Sequence, residues 1–215
     1  TRVLTHEIMN AITPITSLSD TLLGLTEAQA SKEEIRNGLQ TISSTGKGLL
    51  SFVESYRKFT RIPTPEPSLF YVKSFIERMV ELARHQHPDV RVTFHTDIAP
   101  SDLILYADEN LVSQVVINLL KNAIQAIESD KNTDKEGHIN IRAYCNEAEA
   151  ILIEISNNGP AIPNDIAEHI FIPFFTTKEG GSGIGLSISR QIMRLSGGNL
   201  SLLPSKETTF ILKFN

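Results

Sequence analysis

Leu4, Ile8, Ala11, Ile15, Leu18, Leu22 and Leu25 recur at alternating spacings of four and three residues, the stripe of a helix that packs along another helix. A second such stripe follows in Ile35, Leu39, Ile42, Gly46, Leu49, Val53, Tyr56 and Thr60, widened by Leu50, Phe52 and Phe59. The connection at 26–31 is short enough for a hairpin, and Ser31 with Glu34 reads as a capping box for the second helix. One hairpin this apolar leaves part of its face uncovered. Two hairpins pairing into a four-helix bundle would cover it, which predicts a homodimer through residues 1–62.

Pro63, Pro65 and Pro67 break the periodicity, since no helix or central strand tolerates such spacing, and mark 63–68 as a linker. From residue 69 to 215 the pattern changes. Strands are expected near 68–72, at 91–96 and at 103–106, with a helix over 73–86 between the first two. A long helix is expected over 109–128, then alternating apolar and polar runs at 138–146 and 150–156 that fit antiparallel strands with one wet face. A helix over 184–196 and strands at 199–203 and 209–214 close the chain. The fold class is therefore α+β: a helical hairpin followed by a two-layer α/β sandwich. Residues 157–184 form a long connection with a short helix near 165–170, and a connection of that length inside a compact domain reads as a lid.

The bulk properties narrow the functional classes. The net charge is −5 and lysines and arginines do not cluster, which argues against a nucleic-acid partner. Cys145 is the single cysteine, so no intrachain disulfide can form and a reducing compartment fits. No apolar run approaches the length of a membrane span, and a cytoplasmic location is expected. The chain opens at Thr1 with the helical stripe already running, which suggests that a sensing region, membrane-anchored in some arrangements, lies upstream.

Two constellations carry chemistry. His6-Glu7, with Asn10 one turn on, sets an imidazole beside a carboxylate and an amide; with Leu4 at heptad position d, His6 falls at f, facing away from the partner helix. A zinc-peptidase reading fails because H-E-x-x-H needs histidine where Asn10 stands. In the 109–128 helix, Asn118, Lys121, Asn122 and Gln125 share one face opposite Val116, Leu120, Ile124 and Ile127. Asparagine is a poor helix former, amide oxygens are hard ligands suited to Mg²⁺, and lysine suits phosphate oxygens. Gly180-Gly181-Ser182-Gly183-Ile184-Gly185-Leu186 then enters a helix, offering backbone N–H groups and a positive dipole end to an anion. It lacks the Gly-Lys-Ser/Thr of a Walker A loop and the spacing of a dinucleotide fingerprint.

Together these motifs resemble, in content and order, the catalytic core of bacterial two-component sensor histidine kinases. Leu4-Thr5-His6-Glu7-Ile8-Met9-Asn10 is similar to the H box and Asn118-Leu119-Leu120-Lys121-Asn122-Ala123 to the N box. Asn157-Asn158-Gly159-Pro160-Ala161-Ile162-Pro163 resembles the first glycine box, 171–175 the F box followed by Thr176-Thr177-Lys178, and Gly181-Ser182-Gly183-Ile184-Gly185-Leu186 the second glycine box. The resemblance implies a hairpin at 1–62 for dimerisation and histidine phosphotransfer, and at 69–215 a domain of the gyrase/histidine-kinase ATPase type that binds ATP and Mg²⁺.

It further implies that His6 accepts the γ-phosphoryl group, with Glu7 fixing its tautomer, and that the group passes to an aspartate on a response regulator receiver domain. Asn118 would bind Mg²⁺, Lys121 and Lys178 would neutralise phosphate charge, and Asn122 and Thr177 would belong to the same nucleotide site. Asn157 would accept a hydrogen bond from the adenine amino group, Gly159 and Ile162 would belong to the nucleotide site, and the glycine-rich turn with Gly181, Gly183, Gly185 and Leu186 would hold the triphosphate. Asn10 would position water for dephosphorylating the regulator. Pro14 predicts a bend one turn past His6. Two departures stand out: Asn157 where the family carries aspartate, and Ala161 where it carries glycine. They leave open a competing reading, a catalytically weak module that dimerises and docks a regulator with degraded nucleotide binding. A gyrase-like or chaperone ATPase is a third, which would not need the histidine hairpin.

Overall fold

The computed structural model describes residues 2–27, 32–130, 136–178, 181–203 and 207–215, including the side chains of all these except 2–7, 11, 23, 25–27 and 58. The chain divides into two compact units, Thr1–Arg61 and Ile62–Asn215.

In the first unit, α1 (Arg2–Glu27) and α2 (Lys32–Thr60) pack side by side. Leu22 is its buried contact point, 8% exposed, and it lies over Gly38, where a Cβ would come within 2.7 Å of Leu22 Cδ2. Glycine there lets the helices approach closely. Ile8, Ile15, Leu18, Ile35, Ile42, Leu49, Phe52, Tyr56 and Phe59 are half-buried along the facing stripes. Helix α1 continues through Pro14. Pro14 brings no N–H to the ladder, and in the turns around it Thr13 Oγ1 donates to the Met9 carbonyl at 2.8 Å and Thr16 Oγ1 to the Thr13 carbonyl at 3.0 Å. The expected Ser31 cap lies outside the described residues.

In the second unit, β2 (Val92–Ala99), β4 (Gly137–Cys145), β5 (Ile151–Asn157), β7 (Thr208–Phe214) and β6 (Asn199–Leu203) form one mixed sheet in the order β2-β4-β5-β7-β6, with β2 parallel to β4 and every other pair antiparallel. Ile139, Ile141, Ile153, Ile155 and Leu212 alternate onto its buried face. They meet the apolar stripes of α3 (Val72–Gln86), α4 (Glu109–Glu128) and α6 (Gly185–Leu195), giving a core that includes Phe75, Ile76, Leu119, Leu120, Ile124, Ile192 and Met193. The α+β class is as the hydrophobic pattern predicts.

One feature differs from the sequence expectation of a single sheet. β1 (Ser68–Tyr71) pairs antiparallel with β3 (Ile104–Ala107) in a separate ribbon, Leu69 opposite Tyr106 and Tyr71 opposite Ile104. Phe70 and Leu105 turn inward to the core while the other face of the ribbon is exposed. Asp108 then starts α4: its Oδ1 accepts from Leu111 N at 3.0 Å, and its Oδ2 accepts from Glu66 N at 2.8 Å, which ties the proline segment to the head of the helix. Ile62 packs on the same core. Among the described residues no helix is long and apolar enough to cross a membrane.

Candidate functional site

Helix α4 carries the polar face that organises the site. Its buried side, Leu111 to Ile124 at three- and four-residue spacing, is held by the sheet and by α3 and α6, so Asn118, Lys121, Asn122 and Gln125 are fixed on the remaining side. Asn118 Nδ2 donates to Ser189 Oγ on α6 at 3.0 Å. That bond orients the amide so that Oδ1 lies against Gly185, where an added Cβ would collide with it. Gly185 is thus required by a close approach, and Asn118 presents a hard oxygen at the glycine-rich entrance to α6.

Lys178 comes to the same face from the far end of the 157–184 connection. Its Nζ donates to Gln125 Oε1 at 2.7 Å and to Asn122 Oδ1 at 3.1 Å. Burial of the ammonium, and secondarily the charge of Lys121, lowers its pKa from the ordinary lysine value. Two cations and three amides within one patch form a seat for an anion. Thr177 and Lys121 are exposed beside it.

The base of the connection is pinned. Phe174 N donates to the Gly183 carbonyl at 2.9 Å, and both residues have positive φ, 69° and 65°. A Cβ on Gly183 would fall 2.7 Å from the Phe174 carbonyl oxygen, so only glycine fits. Thr176 Oγ1 accepts from Lys178 N at 3.1 Å, and Gly181 N donates to the Lys178 carbonyl at 3.2 Å. The expected short helix is α5 (Asn164–Ala167), and His169 and Phe175 stack behind it with ring centroids 5.5 Å apart. Phe171 packs edge-on to Phe210 of the core and receives the Arg190 guanidinium 4.5 Å above its ring. Leu186 and Ile162 pack at the rim of the core.

At the other end of α4, β5 delivers Asn157, 3% exposed, with its Nδ2 lacking a hydrogen-bond partner. Gly159 presses on α4, since a Cβ there would be 2.9 Å from the Ala126 carbonyl carbon. Asn158 locks the turn: its Oδ1 accepts from His138 N at 2.9 Å and its Nδ2 donates to the Glu136 carbonyl at 2.8 Å. Ala161 is exposed.

These residues fit ATP and Mg²⁺ chemically. A buried amide nitrogen without a partner stands at one end, and cations, an amide oxygen and glycine backbone at the other. Among the described residues no group of three or more His, Cys, Asp or Glu could hold a metal, so Mg²⁺ would be shared between Asn118 and phosphate oxygens. In the first unit His6 and Glu7 fall within α1, but their side chains, and with them the expected outward-facing imidazole, lie outside the described residues. Asn10 is exposed on the same helix. Ser189, which holds the Asn118 amide, and Asp108, which caps α4, are residues that sequence reasoning missed. Only Asp108, an aspartate one residue before a helical stripe, carried a readable signal, that of an N-cap.

Residues 107–215 match the family described as histidine kinase-, DNA gyrase B-, and HSP90-like ATPase. Nitrogen regulation protein NtrY of Azorhizobium caulinodans is 32% identical over 96% of this chain and 27% of its own length. The signal transduction histidine-protein kinase AtoS of Escherichia coli is 29% identical over 96% of this chain and 33% of its own length. The chain thus spans a third or less of these relatives. Among solved structures, the catalytic domain of histidine kinase ThkA is 32% identical with a TM-score of 0.59, covering 69% of this chain and 95% of that one. ThkA in complex with response regulator protein TrrA superposes at a TM-score of 0.68 and 24% identity, over 100% of this chain and 61% of that one, a likeness of fold. The motif order, the α4 site and these relatives agree: the chain belongs to the histidine kinase-, DNA gyrase B- and HSP90-like ATPase family, as the catalytic region of a two-component sensor histidine kinase.

Proposed function

We propose that the chain binds Mg-ATP on the α4 face, transfers the γ-phosphoryl group to His6, and passes it on to an aspartate of a response regulator receiver domain. The observation that carries the reading is the convergence of Lys178, Asn122 and Gln125 with Asn118 and Gly185 on one helix face. Phosphoryl transfer demands chiefly positioning and neutralisation of charge, and this patch supplies both. Lys121 and Lys178 offset phosphate charge; the bond from Ser189 holds Asn118 with its oxygen forward; the turn pinned by Phe174 and Gly183 holds backbone beside the triphosphate. Mg²⁺, when bound, supplies Lewis-acid polarisation of the phosphoryl oxygens. Glu7, next to His6, would hold one ring nitrogen protonated so that the other attacks as a neutral nucleophile. The ThkA structure that shares this fold contains a response regulator, which supports the choice of acceptor.

The Mg²⁺ assignment is tested by equilibrium ATP binding with and without the metal. Asn118→Ala should abolish most of the metal-dependent gain, a loss of about tenfold or more in affinity; unchanged metal dependence would remove Asn118 from the site. Asn10, exposed one turn from His6, is assigned to positioning water for dephosphorylation of the regulator. Asn10→Ala should slow loss of phosphate from the phosphorylated regulator while sparing labelling of His6, whereas equal loss of both activities would contradict that role.

A further inference from the structure

The base end of the site departs from the rest in its chemistry. Asn157 terminates β5 on the helix-facing side of the sheet, in register with Thr208 of β7, and is 3% exposed. Its Nδ2 is a buried donor without a partner. Gly159 lies against it, a Cβ there falling 2.9 Å from that nitrogen, so the amide borders backbone that cannot accept a side chain. The Thr208 hydroxyl is engaged elsewhere, donating to the Pro160 carbonyl at 3.4 Å. A buried amide donor without a partner is costly, and a ligand presenting an acceptor would supply the missing bond.

We propose that Asn157 makes the nucleotide site tolerant at the purine 6-position, so that it binds guanosine and inosine triphosphates alongside ATP. The inference rests on the nucleotide-binding reading above. A carboxylate at this position can only accept hydrogen bonds, so it pairs with a 6-amino group and repels a 6-oxo group. An amide carries one donor and one acceptor face. In one orientation Oδ1 accepts from the 6-amino group of adenine while Nδ2 donates to ring N1. Turned over, Nδ2 donates to the 6-oxo group of guanine or hypoxanthine while Oδ1 accepts from N1–H. The two pairings use the same two atoms of the amide and meet the 6-position and N1 of either base, a bidentate reading of the kind by which amides recognise base edges. Discrimination between bases arises when a buried polar group is left unpaired, and neither base leaves Nδ2 or Oδ1 of Asn157 without a partner.

The experiment is competition binding to the whole chain in Mg²⁺, displacing a fluorescent ATP analogue with ATP, GTP and ITP. ATP, GTP and ITP should bind within about tenfold of one another, and Asn157→Asp should shift the ratio toward ATP by about tenfold or more, equivalent to about 1.4 kcal/mol. ATP binding with GTP and ITP more than tenfold weaker would overturn the proposal while leaving the ATP reading intact, and this result is read on the unaltered chain whether or not the variant folds. A ratio unchanged in folded Asn157→Asp would also overturn it. Failure of all three nucleotides to displace the analogue, with no binding of the analogue itself, would overturn both.

Discussion

At the scale of single residues, Asp108 shows how one side chain can serve two elements. The Glu66 backbone N–H, most of all, and those of Leu111 and Asn110 hold its carboxyl below the usual aspartate pKa, against the opposing effect of burial. A carboxyl whose folded pKa lies below its unfolded value stabilises the fold at neutral pH, and that contribution is lost as pH falls through the folded pKa. Denaturant unfolding should therefore show stability dropping from about pH 5 downward, near and below the unfolded aspartate pKa of about 3.9. Asp108→Ala should cost about 1–2 kcal/mol at pH 7 and flatten that slope; a variant with full stability or an unaltered slope would show the cap to be idle. The same scale separates what could be read in advance from what could not. Asn118, Lys121 and Asn122 were legible because their three- and four-residue spacing puts them on one face. Their partners Ser189 and Lys178 were not legible as partners, because hydrogen bonds across 71 and 56 residues leave no mark on spacing.

At the scale of elements, the long helices and the alternating strands follow from periodicity, since a buried face repeats every 3.6 or every two residues whatever it packs against. The ribbon of β1 and β3 does not follow, because its pairing joins Ser68–Tyr71 to Ile104–Ala107 across an intervening helix and strand. The hairpin carries a further legible feature. Beyond the half-buried stripe that joins α1 to α2, Met9, Ile12, Leu39, Leu50 and Val53 are between 37% and 67% exposed. Large apolar side chains repeated along two adjacent helices favour burial by a second copy, which is the ground for proposing a homodimer. Leu50→Glu combined with Val53→Glu should halve the mass measured by light scattering while leaving helix content unchanged. A wild-type chain that is already monomeric at micromolar concentration, or a variant that stays dimeric, would count against pairing through this face.

At the scale of the whole molecule, the chain joins a helix bearing His6 to an ATPase-family domain whose α4 face gathers cations and amides. The departures at Asn157 and Ala161 carry different weight. Ala161 is exposed, whereas Asn157 is buried with its Nδ2 unpaired, so of the two only Asn157 bears on the proposed nucleotide chemistry. The most direct measurement is incubation of the chain with γ-labelled ATP and Mg²⁺, comparing wild type with His6→Gln. The account predicts label on the wild type that is labile in acid, stable in base and absent from the variant. Label that persists in His6→Gln, or an unlabelled wild type that nevertheless binds ATP, would contradict it.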